Sequence, residues 1–317
     1  MTKEWLVSAF LFLLTLVTTT LTGAAYAGYD YSDWQKGLVF SIPLLLILFT
    51  HEMGHYLAAK KHKIKVSPPY FIPLPPSFGI GTMGAVIKIK EKIASRNALM
   101  DVGAAGPLAG LFVAIPVLIY GIYLSPVSNI PQNFQGFTEG NSVLYLSLKY
   151  LIHGMILPSG NKDIMMHPTA FAGWIGLLVT MINLIPIGQL DGGHVFYAWF
   201  GDKYSKYSKL VHIFLPVLGI LVTVYVTAEN YFYKNLNFIV SNGFTAPQIT
   251  DSFLDGISAA MPWFMWSLIL IVLKYLSGGI SHPPVGDDPL TSGRKVLAWI
   301  IAVVFALIFM PIPMRMS

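Results

Sequence analysis

A glutamate flanked by two histidines is the first feature of this sequence with an evident chemistry: His51-Glu52-Met53-Gly54-His55. On an α-helix, positions i and i+4 lie on one face, so the imidazoles of His51 and His55 can bind one cation. Glu52 lies beside them and can act on a water molecule at that cation. The spacing is that of the zincins and predicts a zinc site with its own general base. The alternative is a buried polar cluster that only packs the helix.

A third ligand is required, because a catalytic zinc usually has three protein ligands and the sequence contains no cysteine. Asp191 is the candidate. It lies in the segment 183–194, where Pro186 and the glycines are expected to break a helix and expose backbone groups. Taken alone, the Asp-Gly-Gly sequence could also be an ordinary turn. We interpret His194, which follows this motif, as a residue that either supports a metal ligand or is structural.

The composition places these motifs in a membrane. Of 317 residues, 55% are hydrophobic and 11% are charged, and the mean hydropathy is +0.63, whereas soluble proteins contain about 25% charged residues. Apolar stretches of roughly 20 residues, the length that crosses a bilayer core, predict an all-α polytopic membrane protein with about six to seven transmembrane helices. They lie near residues 5–26, 38–59, 100–124, 170–198, 209–228, 255–275 and 296–313.

The first of these stretches resembles a signal peptide at its end, but its apolar part is longer than usual, so we expect a retained helix. We further expect one integral membrane domain over residues 1–317. Within it, residues 38–200 form the predicted catalytic core and residues 201–317 add further transmembrane helices.

Lysines and arginines are unevenly distributed over the predicted loops. The densest groups are at residues 60–65 and 88–96, and the positive-inside rule places them in the cytoplasm. His51 lies about nine residues before Lys60, and Asp191 lies about twelve residues before Lys203. If both stretches are helical, these separations correspond to roughly 13 to 18 Å. Both motifs are therefore predicted at similar depth, nearer the cytoplasmic side. We interpret the net charge of +5 as a topology signal and expect no nucleic-acid partner.

Residues 66–95 form a cytoplasmic segment rich in proline and glycine between the second and third spans. From Gly79 to Lys90, apolar and basic residues come to alternate at strand spacing. The pattern predicts a short membrane-associated β-hairpin, whose edge can pair with an extended substrate segment. Gly81 and Gly84 are accordingly candidate substrate-binding positions. The alternative is an amphipathic strand that only contacts lipid head groups.

Together these features resemble the site-2 protease family of intramembrane zinc metalloproteases, whose signatures are His-Glu-x-x-His and Leu-Asp-Gly on separate membrane segments. The resemblance covers about residues 38–200. It implies a Zn²⁺ ion held by His51, His55 and Asp191. It also implies that Glu52 is the general base.

The same resemblance implies a function. A member of this family hydrolyses a peptide bond within the transmembrane segment of a single-span membrane protein, in regulated intramembrane proteolysis. Asn183 matches an asparagine upstream of the family's aspartate and is implied to hydrogen-bond the substrate. No inserted peptide-binding domain is visible, so regulation through one is not expected. The expected partners are single-span membrane proteins and the lipid bilayer.

Three other functions are consistent with some of the same residues. A transporter or channel also has ionisable groups and broken helices within the membrane, but we find no internal repeat. A catalytically inactive relative would have no need of Glu52. A prenyl-protein endoprotease would be expected to take its third ligand from a downstream glutamate, and none of Glu91, Glu139 and Glu229 lies in such a setting.

Overall fold

The computed structural model describes residues 3–130, 136–188, 190–242, 246–276, 285–286 and 288–316. This part of the chain is mostly helical. Its α-helices are α1 (Lys3–Tyr26), α2 (Leu38–Lys61), α3 (Arg96–Tyr123), α4 (Val143–His153), α5 (Pro168–Asn183), α6 (Asp191–Phe200), α7 (Tyr204–Asn242), α8 (Ala246–Leu276) and α9 (Ser292–Ile308). Short 3-10 helices lead directly into α2 and α7, at Tyr31–Gly37 and Gly201–Lys203.

Short strands form three antiparallel pairs within the described residues. The strands are β1 (Tyr70–Pro73), β2 (Thr82–Val86), β3 (Val127–Asn129), β4 (Phe137–Glu139), β5 (Lys162–Ile164) and β6 (Met314–Met316). β1 pairs with β2, β3 with β5, and β4 with β6. The first pair connects the end of α2 to the start of α3, whereas β3, β4 and β5 follow the opposite end of α3.

Five helical stretches of the described chain are long and apolar enough to cross a membrane: Lys3–Tyr26, Tyr31–Lys61, Arg96–Tyr123, Asp191–Phe232 and Ile249–Tyr275. Two shorter apolar helices, α4 and α5, accompany them. The prediction of an all-α polytopic membrane protein with a short β-hairpin is confirmed, and the chain is an integral membrane protein. The subdivision of the membrane domain at residue 200 stays a prediction.

The fourth predicted span, 170–198, is interrupted in the structure. α5 ends at Asn183 and α6 begins at Asp191, with a non-helical connection between them. A Cβ atom on Gly192 would lie 2.1 Å from the carbonyl oxygen of Leu184, so the connection approaches α6 too closely for any residue but glycine. Irregular backbone at membrane depth is tolerated where protein buries it, and Leu184 is buried. The helix break expected from the proline and glycines of this segment is therefore present.

Helix α3 lies at the centre of the bundle and packs against α2, α5 and α6. The contacts are close because small residues face each other. A Cβ atom on Gly54 of α2 would lie 2.4 Å from the carbonyl oxygen of Ala105, and one on Gly121 would lie 2.2 Å from the backbone nitrogen of Ala170. Small residues allow helices in membranes to approach in this way. This central helix therefore contacts both elements that carry the two motifs.

The β1–β2 hairpin lies along α1. The hydroxyl of Ser8 donates to the carbonyl oxygen of Pro69, and the hydroxyl of Thr18 donates to that of Gly81 at 2.7 Å. These two contacts are about ten residues apart on α1, roughly 15 Å along the helix. Gly81 has a φ of +78°, and a Cβ atom there would lie 2.6 Å from the hydroxyl oxygen of Thr22. The backbone nitrogen of Leu74 also donates to the carbonyl oxygen of Gly81, at 3.1 Å. The hydroxyl-bearing face of α1 thus adds hydrogen bonds that fasten the hairpin to this helix.

Replacing Thr18 by valine should loosen the hairpin, because valine keeps the shape of threonine but leaves the carbonyl group of Gly81 without this donor. The chain has no cysteine, so a single cysteine at Ala85, a partly buried position of β2, reports on hairpin opening. We expect Thr18→Val to increase the maleimide labelling rate of that cysteine several-fold. Val17→Ala, on the exposed face of α1, is the control and should leave the rate unchanged. An equal rate in the two variants would contradict this role of α1.

Candidate metal centre

The two histidines of α2 and the first residue of α6 meet in one cluster. The Nε2 atom of His51 lies 3.2 Å from Oδ2 of Asp191, and Nε2 of His55 lies 3.2 Å from Oδ1 of the same carboxylate. The two Nε2 atoms are 3.1 Å apart. Within the described residues, these three side chains form a group able to hold a metal ion. The structure therefore brings together the three ligands that the sequence predicts, although Asp191 lies far along the chain from the histidines.

The spacing of these atoms suits a zinc ion. Zinc–nitrogen and zinc–oxygen bonds of about 2.0–2.2 Å in a tetrahedron place neighbouring ligand atoms about 3.3–3.6 Å apart. The two histidine nitrogens are 3.1 Å apart, close to this value, and one ligand atom from each of the three residues lies within 4.8 Å of the others. Imidazole nitrogen and carboxylate oxygen are both ordinary zinc ligands, and His51 and His55 are buried. The residues present thus fit Zn²⁺.

Helix α3 orients one of the two imidazoles. The Nδ1 atom of His55 lies 2.7 Å from the backbone carbonyl oxygen of Val102. Since a carbonyl oxygen only accepts, Nδ1 carries the proton and donates it, which leaves the lone pair of Nε2 free for a cation. A hydrogen bond of this kind fixes both the tautomer and the direction of the ring.

Two glycines of α3 pack directly on the histidines. A Cβ atom on Gly106 would lie 2.0 Å from Nε2 of His55, and one on Gly110 would lie 3.2 Å from Nδ1 of His51. Their four-residue spacing in the sequence indicates close helix packing, and nothing in that pattern identifies what they face. The structure shows that they make room for the imidazoles of His51 and His55.

Glu52 is buried beside the cluster. The backbone of Ile87, the residue after β2, lies close to its carboxyl group. The hairpin is therefore in direct contact with the predicted general base. Gly84, in β2, has a φ of +99° and open space where a side chain would be, whereas Gly81 is packed against α1. The substrate-binding roles of both glycines stay predictions.

Asn183, at the end of α5, is the remaining predicted site residue. Its amide nitrogen lies 3.4 Å from Nε2 of His51. This places the side chain at the edge of the cluster, where an amide can donate to a bound peptide. Its role in substrate binding also stays a prediction.

An arginine that the sequence marks only as a topology signal anchors α6. The guanidinium of Arg96 donates from Nε and Nη2 to the carbonyl oxygen of Ala198, at 3.0 and 2.7 Å, and from Nη2 to that of Trp199 at 3.1 Å. The last carbonyl groups of a helix have no partner within it, so these hydrogen bonds cap α6. The backbone nitrogen of Arg96 in turn donates to Asp288 at 2.9 Å. Arg96 thus ties α3 to the helix that begins with Asp191.

The fold and the cluster define a class of protein: a polytopic membrane protein with a His-Glu-x-x-His metal centre completed by an aspartate. The model of "Peptidase family M50" matches residues 39–226. The chain belongs to this family, that of the site-2 proteases, so the resemblance seen in the sequence is confirmed.

Curated relatives agree with this assignment. The chain is 30% identical over 282 residues to "Probable zinc metalloprotease EGY2, chloroplastic" from Oryza sativa subsp. indica, covering 86% of this chain and 50% of that protein. It is 32% identical over 198 residues to "Probable zinc metalloprotease EGY1, chloroplastic" from Arabidopsis thaliana, covering 60% of this chain and 35% of that protein. The chain spans about half the length of the curated relatives it matches first. Family and names support a zinc metalloprotease, with Zn²⁺ as its metal.

Replacing Gly106 by alanine should weaken zinc binding. Alanine in a helix is normally better than glycine by up to about 1 kcal/mol, but here the added methyl group would collide with Nε2 of His55. We expect the zinc affinity, measured by titration against a competing chelator, to fall on the order of 10–100-fold. Phe112→Ala, at a position of α3 that is 81% exposed, is the control. Wild-type affinity in Gly106→Ala would show that the histidine does not need this space.

Proposed function

We propose that this chain is an intramembrane zinc metalloprotease that hydrolyses a peptide bond within the transmembrane segment of single-span membrane proteins, in regulated intramembrane proteolysis. The observation that carries the proposal is the position of the His51–His55–Asp191 cluster. It lies between helices that cross the membrane, with Glu52 buried beside it. Ionisable groups inside membrane helices are costly to insert and mark functional sites.

The chemistry follows from the residues around the cluster. Zinc bound by the cluster supplies Lewis-acid activation of a water molecule and of the scissile carbonyl group. Glu52 removes a proton from the attacking water and returns it to the departing amine nitrogen, and this makes it both general base and general acid. The amide of Asn183 donates to the substrate backbone or to the carbonyl oxygen as negative charge develops there. The helices around the cluster exclude bulk water, so these polar interactions are strong.

A transmembrane helix must be unwound before one of its carbonyl groups can reach the cluster. Strand β2 supports the proposal because it lies beside Glu52 and, in the described part of the chain, pairs only with β1. Its free edge offers hydrogen bonds to an extended peptide, and Met83 on the strand is exposed. Gly84 leaves space beside that edge. We propose that β2 holds the substrate extended at the metal centre.

The site is proposed to lie nearer the cytoplasm. Helix α2 carries His51 and His55 in its second half and ends at Lys60 and Lys61. Basic residues mark the cytoplasmic side of membrane proteins. A peptide released from the cytoplasmic end of the substrate therefore has a short path into the cytoplasm.

Glu52→Gln should abolish cleavage without removing zinc, because glutamine keeps the shape of the side chain but cannot accept the proton. We expect the cleavage rate of a purified single-span substrate to fall on the order of 10²–10⁴-fold, with zinc content unchanged by mass spectrometry. Glu91→Gln, on a glutamate outside the cluster, is the control and should retain activity.

A strong chelator should also stop cleavage, and added zinc should restore it. The cleaved bond, mapped by mass spectrometry, should lie inside the transmembrane segment of the substrate. Cleavage by Glu52→Gln at the wild-type rate would exclude the proposed proton transfer. Cleavage confined to the soluble flanks would exclude intramembrane proteolysis while leaving a metalloprotease in place.

Substrates whose transmembrane helix unwinds easily should be cleaved faster. A glycine or a proline is less favourable in a helix than alanine by about 1 and 3 kcal/mol respectively. Introducing either near the mapped bond should therefore raise the cleavage rate, whereas alanine at the same positions should lower it. We would measure initial rates in one detergent at equal substrate concentration. Equal rates for all three would show that unwinding does not limit the reaction.

A further inference from the structure

A cavity of about 660 Å³ lies at the end of the bundle away from the hairpin. One wall is formed by α7, through apolar residues that include Leu218, Leu221 and Tyr225. The other wall belongs to the segments around β4, β5 and β6 and contains polar side chains. The cavity is thus apolar on one side and polar on the other, and its size is that of an ordinary ligand site.

The position along α7 suggests what kind of molecule reaches the cavity. This helix begins at Tyr204, beside Lys203 and Lys206. Leu218 and Tyr225 follow about 14 and 21 residues later, roughly 21 and 32 Å along the helix. Because the hydrocarbon core of a bilayer is about 30 Å thick, the cavity lies near the opposite head-group region. It is therefore accessible from the lipid of that leaflet.

Both basic side chains near the cavity already have anionic partners. Lys149 is fully buried, lies 3.4 Å from Asp163, and stands 4.7 Å from the ring centre of Tyr145. Arg315 lines the cavity and pairs with Glu229 at 2.9 Å. Lys149 is thus enclosed by protein, whereas the side chain of Arg315 is 27% exposed and also faces the cavity.

The remaining polar groups of the lining are mainly hydrogen-bond acceptors. Glu139 receives a hydrogen bond from the hydroxyl of Tyr145 at 3.0 Å, and burial raises the pKa of its carboxyl group. The side-chain oxygen of Asn141 is buried and has no hydrogen-bond partner. Asp163, which is also the partner of Lys149, completes a lining of three side chains with acceptor oxygens. Such a lining favours a ligand that carries a positive charge and several N–H donors.

We propose that this cavity binds a phospholipid with an ethanolamine head group. A primary ammonium group has three donors, one for each of Glu139, Asn141 and Asp163. The phosphate group of the lipid then lies beside the guanidinium of Arg315, to which it is complementary. An acyl chain extends along Leu218 and Leu221 of α7. The lipid therefore bridges α7 and the segment that precedes α4.

The experiment compares two lipids that differ only in the methylation of the head group. The purified full chain in detergent receives a short-chain phosphatidylethanolamine or the phosphatidylcholine with the same acyl chains. A cysteine introduced by Thr138→Cys, a position that lines the cavity, reports occupancy through its maleimide labelling rate. The quaternary ammonium of choline has no N–H donor. We expect saturable protection of about tenfold by the ethanolamine lipid and less than about twofold by the choline lipid.

Two variants test the two walls separately in the Thr138→Cys background. Glu139→Gln removes the negative charge, and Leu221→Trp fills the space along α7. Each should abolish the difference between the lipids. Val224→Trp makes the same change at an exposed position of α7 that does not line the cavity, and it should keep the difference. Thermal unfolding of each variant shows that it is folded.

Other outcomes would overturn the proposal. Equal protection by both lipids would mean that the cavity binds acyl chains but does not discriminate between the two head groups. Protection by a lysine-containing substrate peptide but by neither lipid would assign the cavity to a protein segment. If neither lipid protects the cysteine, the cavity does not bind a phospholipid of this kind. The comparison of the two lipids uses only the Thr138→Cys protein. It therefore still decides the result if Glu139→Gln or Leu221→Trp fails to fold.

Discussion

The contact between one partly buried carboxylate and two buried imidazoles constrains the rest of this structure. Each oxygen of the Asp191 carboxylate faces one histidine nitrogen, at 3.2 Å. Removing charged groups from water costs several kcal/mol per ion in real proteins, and the cost is offset only when each group has its partner. Helices α2 and α6 must therefore meet at one point, and α3 must leave space there. The glycines of α3 provide that space because they have no side chain to oppose the imidazoles.

The same constraint explains why irregular backbone is found inside the bundle. A carboxylate at the first residue of a helix can reach α2 only if the preceding span is interrupted, as it is between Asn183 and Asp191. Backbone groups freed by such an interruption must find partners inside the protein. Close glycine contacts bury this connection, and Arg96 caps the far end of α6. The β1–β2 hairpin meets the same requirement through the hydroxyl groups of α1.

Charged side chains are arranged differently at the two ends of the molecule. At the metal centre, histidines and an aspartate leave their ligand atoms directed at one point, which suits a small cation of high charge. Near α4, Lys149 and Asp163 pair with each other, and Glu139 and Asn141 face a cavity far larger than a metal ion. A primary ammonium group on an amphiphile suits that arrangement, because its three N–H donors point in different directions and can reach separate acceptors. The two sites therefore differ in their position along the membrane normal and in how their ligand atoms are arranged.

The sequence by itself determined the class of the fold and identified the three side chains that the structure brings together in one cluster. Apolar stretches of spanning length predict membrane helices, since lipid offers the backbone no hydrogen-bond partner. A four-residue spacing predicts that His51 and His55 share a helix face, because helix geometry is local. Pro186 and its neighbouring glycines predict a break for the same reason. Asp191 required one further inference, the need for a third ligand, and the family resemblance supported it.

Only the tertiary structure decided which residues support these groups. In the sequence, Gly106 is a small residue in an apolar helix, and nothing local shows that it faces His55. Three kinds of contact join residues far apart in the chain. They are the cap that Arg96 places on α6, the hydrogen bond that His55 donates to Val102, and the contact of the hairpin with α1. The acceptor lining of the cavity likewise comes from three separate segments. Such contacts depend on how helices pack, and side-chain packing is set by the whole fold rather than by local spacing.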